Sequence, residues 1–140
     1  MTGVDGAFHV AAVYSYWHRD PAETYRVNVD GTELILAAAK SAGVKADIID
    51  VRTLMPLDVD TIRESVNKTG RAMVAHEATR FCGYGAELVA TIQKECFWRL
   101  EAPISRITGW DTPYPHAFEW QYFPVQKRLI DGIHKLMEVE

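Results

Sequence analysis

Short runs rich in apolar residues alternate along the chain with segments in which apolar residues return every three or four positions. The runs are Ala7–Val13, Ala46–Val51, Ala72–Ala75 and Ile104–Thr108. Their length and sparse polarity suit strands buried on both faces of a sheet. Each is followed by a helical period. Tyr25, Val29, Thr32, Ile35, Leu36 and Ala39 mark the packed side of the first helix, which runs to about Ala42. Val59, Ile62 and Val66 mark the second, and Ala86, Val89, Ile92 and Cys96 the third. Leu129, Ile130, Ile133 and Met137 mark the last, from about Val125 to Val139.

Punctuation residues agree with that division. Asp20-Pro21-Ala22-Glu23 combines a cap, a proline at the first helical position and a capping-box glutamate. Gly43 stops that helix, Asp58 caps the next and Gly70 stops it. Tyr14–Arg19 reads as an aromatic loop, and Gly109–Pro124 as an irregular segment rich in proline and aromatic residues. Arg71–Leu100 organises the rest: a short strand, a turn permitted by Gly83 and Gly85, and a helix. Strand–helix repeated four times predicts an α/β fold. It should be a single three-layer α/β/α domain over residues 1–140, with a mainly parallel sheet of about four strands.

Composition narrows the functional classes. A chain of 140 residues, 48% hydrophobic and 24% charged, is ordinary for one globular domain with a real core. A net charge of −4 argues against nucleic-acid binding. No stretch approaches the roughly 20 apolar residues that span a bilayer, and the opening M-T-G-V-D-G lacks the regions of a signal peptide. Cys82 and Cys96 are too few for a disulfide framework. The expectation is a soluble protein of the reducing cytoplasm, with neither nucleic acid nor membrane as a partner.

Three groups of residues carry chemistry to be weighed. Cys82-Gly83-Tyr84-Gly85 opens a helix, and backbone N–H groups at such a terminus can hold an anion. Tight strand-to-helix packing explains the glycines better, and Glu87 suits the helix dipole without a ligand. His76-Glu77 stands at the carboxyl end of the organising strand, where open α/β sheets bind ligands, and Asp111 and His116 follow the next strand. A metal or acid–base site is conceivable there. The spacing is not the His-Glu-x-x-His of a zinc hydrolase, however, and a hydrogen-bond network that fixes the loop is favoured. The third group is Trp110, Tyr114, Phe118, Trp120, Tyr122 and Phe123. Such residues can stack nucleotides, but the acidic charge opposes that, and aromatics are enriched at protein interfaces. These six are the candidate interface. No catalytic, cofactor-binding or metal-binding residue is assigned.

From Asp50 onward, D-V-R-T-L-M-P-L-D, K-T-G-R, H-E-A-T-R, C-G-Y-G-A-E-L, L-E-A-P-I and G-W-D-T-P-Y-P-H stand in one register. On these motifs, residues 46–140 resemble the C-terminal domain of the β subunit of 2-oxoacid dehydrogenases, the thiamine-diphosphate decarboxylase component. D-T-P-Y-P-H and E-C-F resemble the branched-chain type, 2-oxoisovalerate dehydrogenase. The resemblance implies a transketolase C-terminal-domain-like fold, with the first strand between the second and third. It implies that the α subunit holds the diphosphate and its magnesium. The activating glutamate and catalytic histidine of the β subunit would lie in an N-terminal domain. It also implies surfaces for an α2β2 heterotetramer and for the subunit-binding domain of the acyltransferase core. Finally, it implies an antiparallel edge strand, which Met1–Asp5 is too short to supply.

Residues 3–45 depart from that pattern. F-H-V-A-A-V-Y-S-Y-W and Y-R-V-N-V-D-G-T-E-L-I-L-A-A-A-K-S-A-G-V-K resemble a strand–helix fragment of extended short-chain dehydrogenase/reductases, of the dihydroflavonol-reductase or sugar-epimerase type. That family binds NAD(P) at a glycine-rich turn and uses a Tyr-x-x-x-Lys pair. Neither occurs here: no lysine follows Tyr14 or Tyr16 by four residues. Tyr14, Ser15 and Tyr16 read as loop, and His9 as a packed core histidine. The two resemblances together predict an engineered chimera, a non-catalytic folded domain that is not an enzyme and takes no cofactor. Its remaining capacity is protein–protein association. This would be a homodimer through the aromatic loop 110–123 or an open sheet edge, with the α subunit and the acyltransferase domain not engaged. The alternative is an oxidoreductase component, either a fragment of the branched-chain 2-oxoacid dehydrogenase β subunit or a weak NAD(P) binder.

Overall fold

The computed structural model of the chain describes residues 5–9, 33 and 35–138. The expectations for the Tyr14–Arg19 loop, the Asp20-Pro21 helix start and the inward side chains Tyr25, Val29 and Thr32 fall outside those residues. So does the first strand beyond His9.

Four strands form one parallel sheet. They are β1 (Asp5–His9), β2 (Ala46–Asp50), β3 (Met73–Thr79) and β4 (Ser105–Gly109), in the order β2-β1-β3-β4. β1 pairs along its whole length with β2, from Asp5↔Ala46 to His9↔Asp50, and with β3 at Phe8↔Val74 and His9↔Ala75. The first strand is therefore central. The helices are α1 (residues 35–41), α2 (Val59–Thr69), α3 (Gly85–Cys96), the short α4 (Glu119–Tyr122) and α5 (Gln126–Met137).

Local chemistry sets the helix ends. Asp58 accepts the Thr61 N–H at 3.1 Å and the Thr61 hydroxyl at 2.7 Å, which starts α2. Those two bonds, the hydroxyl's first, hold the Asp58 carboxyl below the usual range. Gly70 ends α2 in the left-handed region at φ 73°, donating to the Val66 carbonyl at 2.8 Å. Gly43 does the same for α1 at φ 70°. Its N–H donates to Lys40, and the Val44 N–H donates back to Ala39, the paired bonds of a Schellman cap.

Two cores lie on opposite faces of the sheet because side chains alternate along β3. Met73 and Ala75 pack with Ile35, Ala39, Leu129 and Ile133, from α1 and α5. Ala72 and Val74 pack with Ile62, Val66, Leu88 and Ile92, from α2 and α3. This is the three-layer α/β/α arrangement.

Several bounds differ from the periodic reading. β3 continues past Ala75 to Thr79, because a bulge lets Thr79 still pair with Gly109. The inward stripe of α3 is Gly85, Leu88, Ile92 and Cys96, so Ala86 is exposed and Val89 half-buried. On α1 Ala38 is buried and Leu36 is exposed, and on α5 Leu136 lies deeper than Ile130 and Met137. Apolar spacing alone leaves the helix rotation uncertain by a position; contact with the sheet decides it. α4 also interrupts the stretch expected to be irregular. Among the described residues, no helix is long and apolar enough to cross a membrane.

Candidate functional site

β3 carries His76 to the carboxyl end of the sheet, in step with Ala72 and Val74 on the α3 face. The ring is buried. A Cβ on Gly83 would come within 2.8 Å of His76 Cε1, and one on Gly85 would overlap the ring at Nε2 and Cδ2. The bulk of the imidazole thus explains Gly85, while at Gly83 the Thr79 carbonyl oxygen stands closer still and the ring adds to the crowding. Cys82 between them and β3 takes the left-handed φ of 58°. The loop is bolted at three points. The Thr79 hydroxyl donates to the Phe81 carbonyl at 2.6 Å, the Phe81 N–H donates to Asp111 Oδ1 at 2.7 Å, and the Tyr84 hydroxyl donates to the Leu54 carbonyl at 3.0 Å. Burial, and then the charge of Arg106, hold His76 below its ordinary pKa. Its Nε2 is buried without a hydrogen-bond partner.

The second centre is Arg128, in the first turn of α5. Its guanidinium donates to the carbonyls of Thr108 at 2.6 Å, Phe123 at 3.1 Å and Tyr122 at 3.2 Å. It also lies over the Trp110 ring, 4.3 Å from the centroid. Trp110 Nε1 donates to the Gln121 carbonyl at 2.9 Å. One cation therefore ties the end of β4, α4 and the aromatic segment to α5. Burial lowers the Arg128 pKa from its ordinary value, yet guanidinium remains protonated in proteins. Nothing in the motif pattern singled Arg128 out. Its signal was a cation in the first turn of a helix, where the dipole disfavours it.

The candidate interface residues divide into two roles. Trp110, Tyr114 and Phe118 are exposed. Tyr122 is only 5% exposed and packs where a Gly109 side chain would stand, while Phe123 is half-buried. The Tyr114 ring meets those of Tyr122 and Phe123 edge-on or tilted, at 5.3 Å and 6.0 Å. The Trp120 side chain lies outside the described residues. Of the other candidates, Asp111 holds the Phe81 N–H, His116 stacks edge-on against Tyr114 at 5.0 Å, and Glu77 is exposed. Among the described residues, no three His, Cys, Asp or Glu side chains are grouped to hold a metal. Cys82 is exposed, and Cys96 is buried, with burial raising its thiol pKa.

The parallel sheet in this order, with helices on both faces, agrees with a known family. The transketolase C-terminal domain matches residues 31–129, and the chain belongs to that family. Within it, the chain is 59% identical over 103 residues to the 2-oxoisovalerate dehydrogenase subunit beta of Pseudomonas aeruginosa, covering 74% of this chain and 29% of the relative. It is 47% identical over 100 residues to the mitochondrial subunit beta of Dictyostelium discoideum, covering 71% and 27%. It is 46% identical over 95 residues to the mitochondrial subunit beta 2 of Arabidopsis thaliana, covering 68% and 26%. The chain thus spans under a third of the length of these relatives. A solved "Split gene transketolase, inactive beta4 tetramer" shares the fold at a TM-score of 0.70 and 19% identity, over 98% of this chain and 39% of that one.

These findings correct three expectations. An engineered, non-catalytic domain is overturned by up to 59% identity with subunits of a natural oxoacid dehydrogenase. The non-enzyme reading falls with it, since those relatives are named as components of an enzyme. The family match also begins at residue 31, inside the 3–45 segment assigned to a reductase, and supports neither a reductase component nor a join. The physical reason is that a strand followed by a glycine-stopped helix is common to many parallel α/β sheets. Short motifs of that kind do not separate one family from another.

Proposed function

We propose that the chain serves as the C-terminal domain of a branched-chain 2-oxoacid dehydrogenase β subunit, an oxidoreductase component. The observation that carries this reading is the 59% identity with the Pseudomonas aeruginosa subunit over 74% of the chain. The resemblance implies thiamine diphosphate and magnesium as the cofactors of that reaction, the thiazolium ring supplying the decarboxylation chemistry when bound. By the same resemblance the diphosphate and its magnesium are held by the α subunit, outside this domain. The domain's own contribution is then positional: a stiff body that presents a subunit contact. Trp110, Tyr114 and Phe118 form that contact, held out by the Arg128 hub. Alone in solution the chain pairs with a second copy through the same segment.

A hybrid enzyme tests the reading. Residues 46–140 would replace the matching segment of the Pseudomonas aeruginosa subunit, and turnover of 2-oxoisovalerate would be measured in the assembled complex. The expected result is turnover no more than about tenfold below the parent, a barrier raised by about 1.4 kcal/mol at most. A hybrid that assembles but turns over at background rate would sink it.

A further inference from the structure

Arg80, Arg106, Arg128 and Lys135 line one groove of about 450 Å³ along the outer edge of β4. No aspartate or glutamate lines it, and none of the four cations makes an ion pair among the described residues. The three arginines meet carbonyls and, for Arg128, a ring. Ser105 donates its N–H to Ala72, so Ser105 and Ile107 bond toward β3, while Arg106 and Thr108 turn their peptide groups outward. Those two outward carbonyls are the ones taken, Arg106's by Arg80 at 3.4 Å and Thr108's by Arg128 at 2.6 Å. Arg106 in turn donates to the Arg80 carbonyl at 3.0 Å. The edge is thereby guarded against strand addition, while the positive charge stays uncompensated.

Four like charges gathered on a chain of net charge −4 repel one another unless an anion sits among them. The rest of the lining is mostly apolar, with Pro103, Ile107 and Leu136. We propose that this groove docks an acidic segment of a partner protein, carboxylates meeting the cations and apolar side chains covering Ile107 and Leu136. A lone inorganic anion would leave the apolar part exposed. A nucleic acid finds no aromatic ring in the groove on which to stack a base.

The test is fluorescence anisotropy of the 140-residue chain at low ionic strength. The probes are a labelled peptide of alternating Glu and Leu, its Lys-for-Glu counterpart, inorganic phosphate as competitor, and a single-stranded oligonucleotide. Only the acidic peptide should bind saturably, and added salt should weaken it. Arg80→Gln and Lys135→Gln should each lower its affinity about fivefold, the size of one exposed ion pair. Both residues are exposed, and near-UV circular dichroism confirms that each variant keeps its fold. Absence of saturable binding, equal binding of the lysine peptide, preference for the oligonucleotide, displacement by phosphate at matched charge, or full affinity in both variants would each overturn the proposal.

Discussion

His76 shows how one side chain shapes its neighbourhood. Its ring excludes a side chain at Gly85, so Gly85→Ala should overpack the elbow and cost about 1–3 kcal/mol in urea unfolding. Titration gives an independent handle. Its folded pKa lies below the unfolded value, so as pH falls the unfolded chain takes up the proton first. The contribution to stability is complete above about pH 6.5 and is lost as pH falls from there through the folded value. Urea midpoints measured from about pH 8 down to about pH 5 should decline, and His76→Gln should remove part of the decline below about pH 6.5. Equal slopes in the two proteins would count against a neutral buried ring. Arg128 is the other decisive residue. Arg128→Ala strands the buried Thr108 carbonyl and frees the aromatic segment, at a cost of about 3 kcal/mol. Arg128→Lys should not restore it, because an ammonium cannot serve three carbonyls and a ring face in the same geometry. Near-UV dichroism from Trp110 and its neighbours reads out both variants.

At the scale of elements, the ends were legible and the rotations were not. Gly43, Asp58 and Gly70 act on groups within five residues of themselves, so their chemistry is complete in the local sequence. Gly70→Ala should cost about 1–2 kcal/mol, since φ 73° places a Cβ in the disfavoured left-handed region. A denaturant midpoint equal to the parent's would show that the turn relaxes freely. Which side of α3 faces inward depended instead on His76, delivered by another element nine residues before Gly85 in the chain. The spacing Ala86, Val89, Ile92 was off by one position on its first two members for that reason. The longer β3 has a similar cause: its polar end is kept in the sheet by β4, not by its own apolar content.

At the scale of the molecule, the two faces of β3 divide the domain into two cores, and the carboxyl end of the sheet gathers the loop, the aromatic segment and Arg128. The exposed aromatics make self-association the expected behaviour of the isolated chain. Sedimentation equilibrium should show a dimer that Trp110→Ser with Phe118→Ser shifts toward monomer. A concentration-independent monomer in the parent would remove the subunit-contact reading. The family was legible from residue 50 onward because its motifs cluster in loops and caps that the fold needs at fixed spacings. The chimera was misread for the opposite reason: a strand and a helix in succession satisfy any parallel sheet.

The chain's order of apolar runs and stop residues was enough to determine an α/β sheet with helices on both faces, since each element follows from side-chain spacing and caps acting over a few residues. Only the folded molecule decided that Arg80, Arg106, Arg128 and Lys135 share one edge groove and that His76 sits beneath two glycines. Those meetings join residues from β3, β4, α5 and the loop between β3 and α3, and no local period encodes a contact made across the sheet.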